Sequence, residues 1–341
     1  MTNEIKVGII GSGGIAKVHA IAYSKINFVK IVAVSDVIKE RAETLAKAFN
    51  ARAYTSYEKM IKENDLEIVS VCTPPFTHRD IVLDVIKSNI NIICEKPLAL
   101  NSREAKEMVG EAERRGLYFG VDFQNRLLPQ HIKAKELLSE GAIGKLIQAR
   151  FRVGYDILEA VPPSAPMREW LFDKSKSGGG VLMDIGSHWI DLSRMFVGSE
   201  AESVSAEISK NIENIEVEDN AMVLIRFKNS VHALVDVSWT QQNGQWPVEL
   251  YGDQGTILCN FGEQTIVLYT KNKKYSKDGK LKVITPSLPE IGEPHEYLIG
   301  LFVNSIVNKT QPPVTGYDGY KAQEIIDAAY KSASEKVKVV I

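Results

Sequence analysis

Cysteine is scarce in this sequence, and the three present, Cys72, Cys94 and Cys259, share no paired spacing. Each lies inside an apolar run, so neither a disulfide framework nor a thiolate zinc site is suggested, and the thiols read as small buried hydrophobes in a reducing compartment. An excess of one charge is also missing: 41 Lys and Arg against 43 Asp and Glu leave a formal net charge of -2. Without a basic block or stripe, nucleic acid and anionic membrane surfaces are not expected partners. No apolar run approaches a membrane span, and the chain enters a strand-like run at residue 5, leaving no room for a secretory leader. A cytoplasmic location is expected. No internal repeat or low-complexity tract occurs, and 341 residues accommodate two domains of ordinary size.

What is present begins with glycine. Residues 5–10, Ile-Lys-Val-Gly-Ile-Ile, lead into Gly11-Ser12-Gly13-Gly14-Ile15-Ala16, a GxGxxA pattern between a strand and a helix expected to begin near Ile15. Gly11 permits the tight turn, Gly13 lets the backbone approach a pyrophosphate, and Ala16 allows close packing of helix on strand, while the helix N-terminus offers N–H groups and positive potential. The next run, 29–35, ends in Asp36, about twenty residues past the glycines, where a carboxylate would hold the adenosine ribose hydroxyls. That carboxylate would repel a 2′-phosphate, and Val37 and Ile38 bring no cation to offset it. NAD is therefore expected in preference to NADP, with Lys39 and Arg41 close enough to keep the second cofactor as the lesser alternative.

Apolar runs at 66–72, 90–94 and 118–123 alternate with helical stretches at 79–88 and 102–115, which predicts a doubly wound parallel sheet of the Rossmann type over 1–123. Ligands of such sheets bind beyond the carboxyl ends of the strands. Those ends here carry Thr73-Pro74-Pro75-Phe76-Thr77-His78, Glu95-Lys96-Pro97 and Gln124-Asn125-Arg126. The expected cofactor-binding set is thus Gly11, Ser12, Gly13, Gly14, Ile15, Ala16, Asp36, Thr73, Pro74, Pro75, His78, Glu95, Lys96 and Asn125.

After Arg126 the periodicity changes. A helix at 130–139 is followed by strand-like runs at 145–155, 203–209, 221–228, 231–240, 248–252, 256–260 and 265–270. In 231–240 Val231, Ala233, Val235, Val237 and Trp239 alternate with polar residues, the period of a half-buried strand. Short turns predict antiparallel neighbours, and hence an α+β domain over 124–341 with a large, open, mostly antiparallel sheet. Two closing helices, 296–308 and 319–335, are too few to cover both faces, so a homodimer or homotetramer is expected. Residues 271–282 read as a solvated, lysine-rich loop.

The richest segment is Gly178-Gly179-Gly180-Val181-Leu182-Met183-Asp184-Ile185-Gly186-Ser187-His188-Trp189-Ile190-Asp191, read as one helix with Asp184, His188 and Asp191 at i, i+4 and i+7. Most of its other residues are apolar, so the polar stripe either faces something wet or reactive, or satisfies itself inside the core. Asp191 would find Arg194 as an ion-pair partner.

GSGGIA after the first strand, CTPPFTH, EKP, GGGVLMDIGSHWID and the closing AAYKSA resemble, in this order and across essentially the whole chain, the glucose-fructose oxidoreductase, inositol dehydrogenase and rhizopine-catabolism (Gfo/Idh/MocA) family. The resemblance implies NAD(P)-dependent transfer of hydride between the cofactor and a hydroxyl of a sugar, cyclitol or related polyol. It also implies Lys96 of EKP, Asp184 and His188 as catalytic residues. Oxidation of a carbinol needs a base for the hydroxyl proton, which imidazole serves near neutral pH, and a cation suits the developing charge on oxygen. His188 is the expected base, with Asp184 orienting it or sharing the proton, and Lys96 the group on the reacting oxygen. Lys96, Arg126, Tyr155, Trp170, Asp184 and His188 are the expected substrate contacts, with Arg168 beside them, and no metal is expected. Two alternatives stay open: an NAD-assisted glycoside hydrolase and a non-catalytic dinucleotide-binding regulator.

Overall fold

The computed structural model describes residues 4–242, 247–260 and 265–341. Contacts divide the chain into two compact units, residues 1–124 with 292–320, and residues 125–291 with 321–341.

The first unit starts with β1 (Ile5–Ile10), α1 (Gly14–Ser24), β2 (Val29–Ser35), α2 (Lys39–Ala48), β3 (Arg52–Tyr54) and α3 (Tyr57–Glu63). It continues with β4 (Ile68–Val71), α4 (His78–Lys87), β5 (Asn91–Cys94), α5 (Ser102–Arg114) and β6 (Phe119–Val121). The strands form a parallel sheet in the order β3-β2-β1-β4-β5-β6. All four residues of β4 are buried, as a strand covered on both faces by helices demands. Local chemistry sets the helix starts: Ser56 accepts from Lys59 N–H to open α3, and Asn101 accepts from Glu104 N–H at 3.0 Å to open α5. The short edge strand β3 has too few apolar residues to announce itself in the sequence.

The second unit comprises α6 (Pro129–Ser139), β7 (Leu146–Gly154), α7 (Ile157–Ala160), α8 (Arg168–Leu171), α9 (Lys174–Ser177), α10 (Val181–Asp184) and α11 (Gly186–Val197). Then follow β8 (Ala201–Ser209), β9 (Asn220–Phe227), β10 (His232–Ser238), β11 (Val248–Gly252), β12 (Gly255–Asn260), β13 (Thr265–Thr270) and β14 (Lys282–Ile284). After α12 (Pro294–Asn308), which belongs to the first unit, come α13 (Gly316–Glu335) and β15 (Val339–Val340). The sheet order is β14-β13-β12-β11-β7-β10-β9-β8-β15.

Four features differ from the sequence expectation. The pair β7 and β10 is parallel, inside a sheet that is otherwise antiparallel. Short turns fix the direction of consecutive strands only, and these two are separated by five helices and two strands. The lysine-rich segment ends in a strand, β14, paired on β13. The expected single helix is broken at Ile185 into α10 and α11, where Gly186 sits against Leu182. Finally, where 124–341 was expected as one domain, residues 292–320 pack with the Rossmann sheet. The reason is apolar burial: α12 lies on α1, and Phe302 approaches so closely beneath Gly120 that a Cβ there would meet its ring at 2.8 Å.

Candidate active site

In the first unit the glycine loop separates two kinds of glycine. Gly11 has φ +91 and its missing Cβ would stand 2.4 Å from the Cys72 carbonyl oxygen, so the fold itself demands glycine there. At Gly13 and Gly14 an added Cβ would meet nothing within 4 Å. The space beside those two glycines is open, and it lies at the N-terminus of α1, where Gly13 offers no side chain to cap the first N–H groups. Ala16 is wholly buried under the helix. The Asp36 carboxylate is fixed to this loop: Oδ2 accepts from the Ser12 amide at 2.9 Å and the Ser12 hydroxyl at 2.7 Å, and Oδ1 accepts from the Ile38 amide at 2.8 Å. Beside it Val37 is 90% exposed. A flat, donor-rich cradle with a carboxylate at its rim fits the pyrophosphate and ribose of NAD.

Two further expected cofactor contacts turn inward. His78 is fully buried: its Nε2 lies 2.7 Å from the Thr73 carbonyl oxygen, and its Nδ1 lies 3.1 and 3.2 Å from those of Pro97 and Leu98. It ties the Thr73 loop to the EKP loop and has no face left for a ligand. Burial pushes its imidazole below the ordinary value, against the carbonyl oxygens of Thr73, Leu98 and Pro97 and the charge of Glu95. Pro75 is buried as well, whereas Thr73, Pro74 and Lys96 are half-buried. The Lys96–Pro97 peptide is cis.

Glu95 is the second inward residue. Its Oε1 stands 3.0 Å from His19 Nε2, and its Oε2 accepts the Lys96 amide at 3.1 Å. His19 Nε2 is equally 3.0 Å from Asp122 Oδ2, which in turn lies 2.9 Å from His295 Nδ1. Behind His19, Nδ1 meets Ser70 Oγ at 3.1 Å and Ser70 meets the Tyr23 hydroxyl at 2.9 Å. Burial would raise Asp122, yet the hydrogen bonds from His19 and His295 hold it well below the usual carboxylate range. Burial would lower His19; Cys72, Asp122 and Glu95 more than offset it and hold the imidazole well above its ordinary value. His19, Asp122 and His295 went unnoticed in the sequence because they are scattered singly; the one available signal is a histidine three residues past Ala16 on an apolar helix.

In the second unit the three glycines each have a cause. Gly178, at φ +80, closes α9. A Cβ on Gly179 would lie 1.9 Å from the Tyr330 hydroxyl, and one on Gly180 would lie 1.8 Å from the Glu218 carbonyl oxygen. The Glu218 carboxylate accepts from Gly180 N–H at 2.9 Å, Leu182 N–H at 3.1 Å and the Tyr330 hydroxyl at 2.8 Å. It therefore caps α10 and favours the positive end of that helix. Neither Glu218 nor Tyr330 was singled out by sequence reasoning, although Tyr330 is the tyrosine of AAYKSA.

Asp184 ends α10 partly exposed, and His188, buried, lies on the first turn of α11. Tyr155 joins this region: burial, then the charge of Asp184, drive its phenol upward, while a hydrogen bond from Trp239 Nε1 at 3.1 Å acts against them. Trp239 packs edge-on against Phe172, and Arg168 lies over the Phe172 ring at 4.9 Å while donating to the Val161 carbonyl at 2.7 Å. Trp170 is half-buried in α8. Asp191 has a partner outside its own helix. Arg126 grips it at 2.6 and 2.5 Å, and Arg194 pairs with Glu200. Arg126, expected at substrate, is thus held by Asp191, a partner 65 positions away that sequence spacing does not reach. Asn125 is buried, and its carbonyl accepts from His131 Nδ1 at 2.6 Å.

Residues 5–123 match the family model described as an oxidoreductase family with an NAD-binding Rossmann fold, and residues 131–258 match the GFO/IDH/MocA C-terminal domain. Myo-inositol 2-dehydrogenase of Thermotoga maritima is 26% identical over 98% of this chain and 98% of its own. Levoglucosan dehydrogenase of Pseudarthrobacter phenanthrenivorans is 29% identical over 76% of this chain and 74% of its own. A solved levoglucosan dehydrogenase in complex with NADH and levoglucosan superposes with a TM-score of 0.90, at 26% identity over 99% of both chains.

Proposed function

This chain belongs to the GFO/IDH/MocA family of NAD-binding oxidoreductases, and we propose that it oxidises a hydroxyl of a sugar, cyclitol or related polyol, reversibly, with NAD. The observation that carries the reading is the open cradle at Gly13 and Gly14 beside Asp36. The relatives that act on inositol and levoglucosan support the substrate class. Neither the hydrolase nor the regulator reading draws support from them.

NAD, when bound, supplies a nicotinamide that accepts hydride. The chain's own contribution is proton handling and charge stabilisation. His188 takes the hydroxyl proton as hydride leaves and returns it in the reverse direction. Asp184, one helical turn before it in sequence, orients that imidazole. Lys96 donates a hydrogen bond to the reacting oxygen and stabilises its developing negative charge, a contribution that is large where water is excluded. Thr73 and Pro74, still partly exposed, line the cofactor with Ser12 and Ile15; Tyr155 and Trp170 offer the flat surfaces on which sugar rings pack.

Among the described residues no helix is long and apolar enough to cross a membrane. Three buried free thiols support a reducing, cytoplasmic setting. On β9 the exposed Met222 and Leu224 support assembly into a homodimer or homotetramer through the open sheet face, which light scattering would detect and a monomer would refute. The activity itself is tested by incubating the protein with NAD and a panel of cyclitols, aldoses, anhydrosugars and sugar acids. Reduced nicotinamide should appear with at least one of them. No reduction of NAD by any member, and no oxidation of NADH by the corresponding ketones, would overturn the reading.

A further inference from the structure

Two carboxylates, Glu95 and Asp122, are buried side by side in the first unit, 8% and 0% exposed. Uncompensated charge in such a place is far too costly to persist. Compensation by one imidazolium would leave a net negative charge, and compensation by two leaves none. The titratable groups around them are His19 on α1, bonded to both carboxylates; His295 on α12, bonded to Asp122 and also facing Glu293; the thiols of Cys72 and Cys94 and the phenol of Tyr23, all pushed up by burial and so uncharged; His78, whose imidazole burial pushes down; and Lys96, next to Glu95 in the chain. Ser70 completes the shell at His19 Nδ1. Glu95 then spends one oxygen on His19 and the other on the amide of Lys96.

We infer that His19 is a positioning residue for Lys96: as an imidazolium shared by Glu95 and Asp122, it locks the Glu95 carboxylate, which holds the Lys96 backbone where the ammonium is aimed at the reacting oxygen. His295 supplies the second positive charge, and this is a chemical reason for residues 292–320 to return to the Rossmann sheet. The inference rests on the proposed role of Lys96 in hydride transfer. The clamp itself is a property of the first unit.

Three measurements on the full chain with NAD bound test it. Nitrogen-15 NMR of the six histidines, assigned by single substitutions, should show both His19 ring nitrogens protonated at a pH well above the ordinary imidazole value of 6.5. A neutral His19 ring, or stoichiometric metal bound at this cluster by elemental analysis, overturns the proposal. Second, His19→Gln should change the rate of amine-reactive labelling of Lys96 by about threefold or more, with NAD affinity altered less than about threefold; His19→Gln with Glu95→Gln, which removes both charges together, should bring the rate back toward wild type. Unchanged labelling in a folded variant overturns it, and should the variant not fold, the NMR result on the wild type decides. Third, on the substrate found by the panel, His19→Gln should lower kcat by roughly one to two orders of magnitude without raising KM for NAD, within the range of a displaced catalytic group. A panel with no substrate counts against the sugar reading alone, because the NMR and labelling results are independent of turnover.

Discussion

The Arg126 guanidinium holds the Asp191 carboxylate at two points, Nε to Oδ2 at 2.6 Å and Nη2 to Oδ1 at 2.5 Å, with the Asp191 side chain wholly excluded from solvent. Such a two-point pair fixes the helix α11 to the turn that opens the second unit. Arg126→Ala takes both charge-assisted hydrogen bonds from a buried carboxylate and should cost about 3–5 kcal/mol, the range for breaking a buried pair from one side. Urea unfolding followed by circular dichroism measures it; a loss under about 1 kcal/mol would show that the pair with Arg126 is not what holds the Asp191 carboxylate.

The glycine loop separates fold from ligand. Gly11→Ala forces a Cβ into the Cys72 carbonyl at a positive φ and should destabilise the first unit markedly. Gly13→Ala meets no protein atom within 4 Å, so its melting temperature without cofactor should stay close to wild type. Its NAD affinity should fall by about tenfold or more, because the methyl group takes the place of the phosphates. Thermal melts and calorimetric titration of the two variants should therefore give opposite patterns, and equal NAD affinity in Gly13→Ala would remove the cradle from the account.

Much of this was legible in the residues. The doubly wound parallel sheet follows from alternating apolar runs, and the glycine pattern with Asp36 marks the expected cofactor end of the sheet. The inward turn of His78 and Glu95 was not legible, because a motif fixes a residue's place at a strand end but not which way its side chain points. The pair of Asp191 with Arg126 was missed for a related reason: periodicity sees neighbours three or four residues apart, while Arg126 arrives through the tertiary fold. The GGG segment was read as the start of a helix; that each glycine answers to a specific neighbour, Tyr330 or Glu218, needs coordinates. The parallel pair of β7 and β10 lay beyond local rules altogether.

Stability should carry the mark of His131, whose imidazole burial pushes down to about 4, despite its bond to the Asn125 carbonyl. The unfolded chain takes up a proton near pH 6.5, while the folded chain resists until about pH 4. Stability is therefore lost as pH falls through that window, by roughly 3 kcal/mol at most. His19 and His295, held above their ordinary values, act in the other direction, and their contribution is lost as pH rises. Denaturant midpoints of wild type and His131→Gln between those pH values isolate the first effect; parallel curves would contradict it.

Cofactor choice should turn on Asp36. The wild type should bind NAD more tightly than NADP, and Asp36→Ala should narrow the difference by removing the carboxylate that repels a 2′-phosphate. Because Asp36 also anchors Ser12 through two hydrogen bonds, NAD binding itself should weaken in the variant. Calorimetric titration with both dinucleotides decides; equal affinities in the wild type would contradict this assignment.

The central claim is that Lys96 and His188 act in hydride transfer and not in holding the dinucleotide. Its most direct test is single-turnover oxidation of the identified polyol by the NAD-loaded Lys96→Ala and His188→Ala variants. The account predicts that each rate falls by about two to four orders of magnitude, as expected for loss of an oxyanion-stabilising group or a general base, with NAD affinity changed little. Near-normal rates in both variants, or losses explained entirely by weaker NAD binding, would contradict it.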